Sequence, residues 1–227
     1  MKKDKINNRR YNSSFLLLFS IIQLLSCSYR TQQTPPERTP VVVNPGVKPD
    51  TILPKDSLHT VQKINIRDLA DTVLTTLVQK DYHKLATYVH PVLGVRFSPY
   101  GYIDTSSSML FTVGEIEKID RKKIYHWGSY DGSGEPIRLS MDQYFDRFVC
   151  DAPFNQKGKT AIDKILGTGN SKINIREIYP HSTFVEYFIP GMNPDYRGLD
   201  WKSLRLVFAP AGDKLYLVAV VHDSWTI

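Results

Sequence analysis

Six prolines fall between residues 28 and 58, at positions 35, 36, 40, 45, 49 and 54. Each fixes φ and removes a backbone donor, so a stretch this dense in proline favours neither helix nor sheet. Thr, Gln, Lys and Asp fill much of the remainder, and the few apolar side chains cannot form a core. Residues 27–59 therefore read as a semi-extended tether. Folding is left to residues 60–227, which hold one domain's worth of chain and no internal repeat.

The residues ahead of the tether have a different layout. Met1 to Arg10 carry five bases (Lys2, Lys3, Lys5, Arg9, Arg10) and one acid, Asp4. An apolar run of eleven residues follows, Phe15 to Leu25, interrupted by Ser20 and Gln23. A basic head and an apolar stretch of roughly 7–15 residues make a secretory signal, whereas a membrane-spanning helix needs about 20. The run closes on Leu24-Leu25-Ser26-Cys27, which resembles the lipobox of bacterial lipoproteins. The family pattern usually prefers Ala, Ser, Thr, Val or Ile where Leu25 stands. The resemblance implies cleavage after Ser26, a signal peptide of residues 1–26, and lipid on Cys27. Acyl chains worth about 0.8 kcal/mol per buried methylene would then hold the protein on a membrane. Ser28, rather than Asp, follows the Cys, which in a diderm cell implies the outer membrane; the periplasmic side is the expected facing.

Cleavage changes the charge balance. The whole chain has 29 bases and 23 acids, net +6; without residues 1–26 it has 24 and 22, net +2. No clustered basic face remains, and no nucleic-acid partner is expected. With Cys27 lipidated, Cys150 is alone and no internal disulfide can form. No basic residue stands beside Cys150 in sequence to lower its pKa, so a buried inert thiol is expected rather than a nucleophile.

Local signals within residues 60–227 mark helices first. Ile66, Leu69, Ala70, Val73, Leu74, Leu77 and Val78 follow the helical rhythm, with Asn65 as N-cap. A second helix fits Asp81–Val89, ahead of Pro91. Thr112/Glu115 and Ser140/Gln143 each have the spacing of a capping box, with Phe111/Ile116 and Leu139/Tyr144 at the staple positions. Strands are expected at Val95–Phe97, Lys123–Tyr130, Pro136–Leu139, Thr183–Ile189, Ser203–Ala209 and Lys214–His222. Pro210-Ala211-Gly212-Asp213 reads as a four-residue turn joining the last two. Helices followed by a strand-rich half argue for an α+β domain, its helices on one face of a mostly antiparallel sheet. This order resembles the nuclear-transport-factor-2-like cone.

Several phrases resemble segments of an uncharacterised family of bacterial cell-envelope lipoprotein domains. They are His90-Pro91, Gly94–Tyr100, Trp127-Gly-Ser-Tyr-Asp-Gly-Ser-Gly134, Trp201–Phe208 and His222–Ile227. The resemblance implies the domain and an envelope location, and no activity.

Chemical motifs are sparse. Asp131–Gly134 and Gly167-Thr168-Gly169-Asn170 lack phosphate-loop spacing and read as turns. No serine elbow, zinc helix or paired-Cys spacing is present, and neither a cofactor nor a metal is implied. The final hairpin says more. If residue 209 faces 214, one face carries Leu204, Leu206, Phe208, Leu215, Leu217, Ala219 and Val221, all apolar. The other carries Trp201, Ser203, Arg205, Val207, Tyr216, Val218, Val220 and His222. A face mixing Arg, Trp and His with Val suggests a partly buried cleft. Glu186 is the expected partner of Arg205, and Arg96 and Tyr130 are expected to join from earlier strands. The resulting expectation is a non-catalytic module binding a small ligand, a cell-wall fragment or a protein through Arg96, Tyr130, Glu186, Trp201, Arg205 and His222. The alternative is a hydrolase or isomerase using His222 with Asp223 or Glu186 as acid and base.

Overall fold

The computed structural model describes residues 65–191 and 193–226. The expected signal, Cys27 and the tether lie outside the described residues. Among those described, no helix is long and apolar enough to cross a membrane.

Helix α1 (Ile66–Val78) starts where expected, the Asn65 side chain accepting the Arg67 N–H at 3.0 Å. Its stripe of Ala70, Val73, Leu74 and Leu77 is buried. Lys80, at φ +51°, turns the chain into α2 (Tyr82–Ala86), capped by Asp81. Both capping boxes form: Thr112 and Glu115 open α3 (Val113–Glu117), and Ser140 and Gln143 open α4 (Met141–Tyr144). A π-helical turn, Phe145–Val149, continues α4 and buries Phe145, Phe148 and Val149.

The strands are β1 (Val95–Ser98), β2 (Met109–Phe111), β3 (Ile124–Ser129), β4 (Pro136–Ser140), β5 (Lys159–Ile162), β6 (Thr183–Ile189), β7 (Lys202–Ala211) and β8 (Lys214–Ser224). Short helices α5 (Phe154–Lys157) and α6 (Ile175–Ile178) flank β5. Six strands form one sheet in the order β2-β1-β8-β7-β6-β5, antiparallel apart from the β1–β8 pair, while β3 and β4 form a separate hairpin. The domain is α+β with a mostly antiparallel sheet. Strands β2 and β5, absent from the sequence reading, are edge strands of three and four residues, too short to show a period.

Both faces of the sheet are covered. On one, Leu204, Leu206, Phe208, Leu217 and Val220 pack with α1, α2 and the π-helical turn. On the other, Phe184, Val207, Ala209, Val218, Ala219 and Val221 pack under Ile103, Ile173 and the short helix α6. Burial on both sides removes the polar/apolar alternation, and the central strands are almost continuously buried. The polar face expected to form a cleft is instead part of a second core.

The hairpin register also differs from expectation. The turn has two residues, Gly212 and Asp213, and Ala211 pairs with Lys214. Gly212 takes φ +62° at the first turn position, where a side chain would be strained. This shift of two residues would leave every side chain on its expected face. A bulge does not: Phe208 pairs with Leu217 but Val207 with Ala219, leaving Val218 extra. One extra residue reverses the facing of everything beyond it. Arg205 consequently pairs with Val221, and His222 with Leu204. Arg205 and His222 lie on opposite faces of the sheet, and the common concave surface expected for them does not form.

Candidate functional site

The Arg205 guanidinium is fully buried between two carboxylates. Its Nη2 lies 2.9 Å from Glu186 Oε1, and its Nη1 lies 2.9 Å from Asp223 Oδ2. Register explains both contacts: Glu186 is paired with Arg205 across β6–β7, and Asp223 lies one diagonal step away on β8. Glu186 also accepts from Ser203 Oγ and from the backbone amides of Leu166 and Gly167, while Arg205 Nη2 donates to the Gly167 carbonyl. Burial holds the Asp223 carboxyl above the usual carboxylate range despite the Arg205 charge beside it. One guanidinium serves two acids here, and Asp223 has the weaker support.

Residues 163–174 cover this cluster as an irregular strap. Gly167 and Gly169 do not form the turn read from the sequence. They let the strap lie against Trp201: a Cβ on Gly167 would stand 2.8 Å from the Phe188 ring and 2.9 Å from that of Trp201. Asp131–Gly134, by contrast, is the turn between β3 and β4. The structure therefore brings Glu186, Trp201 and Arg205 together, but in an enclosed structural cluster.

His222 sits on the opposite face against Phe148. Its Nδ1 is 2.9 Å from the Pro99 carbonyl and its Nε2 is 3.2 Å from Asp151 Oδ2. Burial would raise the Asp151 carboxyl, yet His222 and Lys202 hold it below its ordinary range. Both ring nitrogens face oxygen acceptors, so neither is free to exchange a proton with a substrate. His222 acts on the chain itself, by fixing Pro99.

The loop after Pro99 is braced at successive points. Ser98 Oγ donates to the carbonyls of Tyr100 and Tyr102, and Asn174 bonds both the N–H and the carbonyl of Ile103. Asp104 accepts from Ser106 N, Ser106 Oγ and Ser107 Oγ, which hold its carboxyl below the usual range. Arg96 Nη1 donates to Ser108 O and Ser108 Oγ. Gly101 lets this loop pass over the ionic cluster, since a Cβ there would stand 2.6 Å from Asp223 Oδ2.

Between this loop and β3 lies a cavity of about 380 Å³. Tyr100, Tyr102, Trp127, Tyr130, Asp104, Asp131 and several serines line it. Of the six residues expected to bind ligand, Tyr130 lines the cavity and Arg96 and His222 brace its wall. Sequence reasoning missed Tyr102, Asp104 and Ser107 as a group. The signal available was the polar run Asp104-Thr-Ser-Ser-Ser108 beside two of the distinctive phrases, 94–100 and 127–134, which meet at the cavity.

No family model matches the chain, and no curated protein or solved structure matches it either. Function must then be read from the site. Among the described residues, no group of three or more His, Cys, Asp and Glu side chains is placed to hold a metal ion.

Cys150 is half-buried, its Sγ 3.9 Å from the Leu77 carbonyl, and burial pushes its thiol up to about 11. At neutral pH the thiolate is scarce. Native protein is expected to react slowly with maleimide and the denatured chain at the rate of a free thiol, which a labelling time course checks. Rapid native labelling would restore the nucleophile reading.

Proposed function

We propose that this chain is a non-catalytic bacterial envelope lipoprotein, anchored by lipid on Cys27, whose domain binds a small ligand in the cavity behind the Pro99–Ser108 loop. One observation carries the binding reading. The loop's internal polar groups are engaged by Ser98, Asn174, Arg96 and His222, while Tyr100, Tyr102, Asp104 and Ser107 line the cavity. A wall ordered in advance loses little entropy when a ligand arrives. The mixed aromatic and polar lining fits recognition of a small ligand. An acid–base role for His222 lacks comparable support, since both of its nitrogens are engaged within the fold.

The anchor rests on the basic head, the short apolar run and the Leu24–Cys27 phrase. An outer-membrane location in a diderm cell rests on Ser28. In Cys27→Ser the lipid should be lost and the protein should no longer partition with membranes on detergent phase separation. A membrane-bound Cys27→Ser protein would remove the anchor from the proposal. For the binding reading, native mass spectrometry of the full chain gently extracted from its membrane should show a retained small molecule. Tyr102→Ala should lose it. If wild type and variant carry the same mass, the cavity is not the site.

A further inference from the structure

The chemistry of the cavity narrows the class of ligand. Tyr100, Tyr102, Tyr130 and Trp127 supply aromatic faces, and apart from Pro99 and Gly128 the remaining lining is hydroxyl and carboxylate. Among the described residues, no Lys, Arg or His lines it. An anion would therefore meet Asp104 and Asp131 with no cationic side chain in the lining to bond it, an arrangement unfavourable in a partly desolvated site.

A cation is disfavoured for a different reason. The Arg147 guanidinium already sits 5.0 Å from the centre of the Tyr130 ring. Arg96 lies behind the wall, on the carbonyls of Thr105 and Ser108. Two guanidinium groups thus already stand beside the lining, and a further positive charge would be repelled by them.

The hydrogen-bonding capacity that remains suits hydroxyl groups. Asp104 Oδ1 accepts two bonds and Oδ2 one, so a carboxylate with about four acceptor positions retains room for a ligand O–H. The Tyr100 hydroxyl accepts the Asp131 N–H, leaving its own proton to donate. Aromatic faces beside acceptors and donors match a ring with C–H groups on its face and hydroxyls at its edge. The volume, about 380 Å³, is near the lower end of the roughly 300–1,000 Å³ of small-molecule sites. One or two rings would fill it.

We propose that the cavity takes a neutral, polyhydroxylated ring, a saccharide unit of one or two residues. The inference rests on the cavity being the binding site. The test uses isotope-labelled full chain in detergent micelles, titrated separately with cellobiose, N,N′-diacetylchitobiose, spermidine and inorganic phosphate while backbone amide shifts are followed. At least one disaccharide should give saturable shifts confined to residues 99–108 and 127–131. Tyr102 is 51% exposed and among the described residues its side chain makes no hydrogen bond, so Tyr102→Ala should keep the wild-type melting temperature and weaken that binding at least tenfold. Cavity shifts from spermidine or phosphate instead would overturn the ligand class and leave the cavity as a site. Silence from every probe would overturn the ligand class as well. The mass-spectrometric comparison above then decides separately whether the cavity binds at all.

Discussion

Arg205→Ala is expected to destabilise the domain by about 3–5 kcal/mol, the cost of breaking a buried charge cluster from one side. That is a large fraction of the roughly 5–15 kcal/mol that holds a typical domain folded. The substitution would leave Glu186 and Asp223 facing each other in a site from which water is excluded. It would also leave the Gly167 carbonyl without its donor. Equilibrium unfolding in guanidinium checks this, and a loss below about 1 kcal/mol would mean that the cluster is not what holds the strap on the sheet. Asp223→Asn should be far milder. It keeps an oxygen for Arg205 to bond and removes the second negative charge, leaving the Glu186–Arg205 pair neutral. The pH dependence supplies an independent reading. Because the folded Asp223 carboxyl is raised, its contribution favours the fold below the ordinary carboxylate pKa of roughly 3.9 and is lost as pH rises through the higher folded value. Asp151 is lowered and acts in the opposite sense, its stabilisation being present above roughly pH 3.9 and lost below it. Asp223→Asn should therefore flatten the stability change between neutral pH and about pH 4, and leave the steeper loss below it.

Trp127→Ala should cost about 3–5 kcal/mol as well, by removing the centre of an aromatic cluster. The indole is fully buried, stacked on Tyr144 at 3.8 Å between ring centres, and near Phe97, Phe111 and Tyr125. Its Nε1–H donates to the Leu139 carbonyl at 2.9 Å, joining β3 to β4 within the hairpin, while the ring contacts hold the hairpin on the core. The irregular pairing between His126 and Ser129, with Gly128 at φ +102°, accompanies the burial of Trp127 and Gly128 in succession. Trp127→Phe should lose less, since a ring remains against Tyr144 while the hydrogen bond is lost. Because Trp127 also lines the cavity, both variants should weaken ligand retention, and Trp127→Ala the more so. Thermal unfolding that shows Trp127→Ala and Trp127→Phe to be equally stable would contradict the packing account.

What the sequence determined by itself was local. Asn65, Asp81, Thr112/Glu115 and Ser140/Gln143 reach partners within four residues, so the helix starts stood where their side chains put them. Strand β6, Thr183–Ile189, was legible because aromatic and β-branched residues crowd a single short run. The Glu186–Arg205 pair was also foreseeable, since two opposite charges on apolar strands need each other. The tertiary structure alone decided which way the strands face and what covers them. The bulge at Val218 moved His222 to the face opposite Arg205, and nothing in Tyr216–Val221 marks where an extra residue sits. The strap around Gly167 and the loop after Pro99 then turned an expected partly buried cleft into a second core. The cavity lies instead between Pro99–Ser108 and β3, assembled across the chain by contacts such as Asn174 to Ile103 and His222 to Pro99. A period-two pattern reports that a strand is half-buried; it cannot report burial on both faces, because the covering residues come from distant parts of the chain.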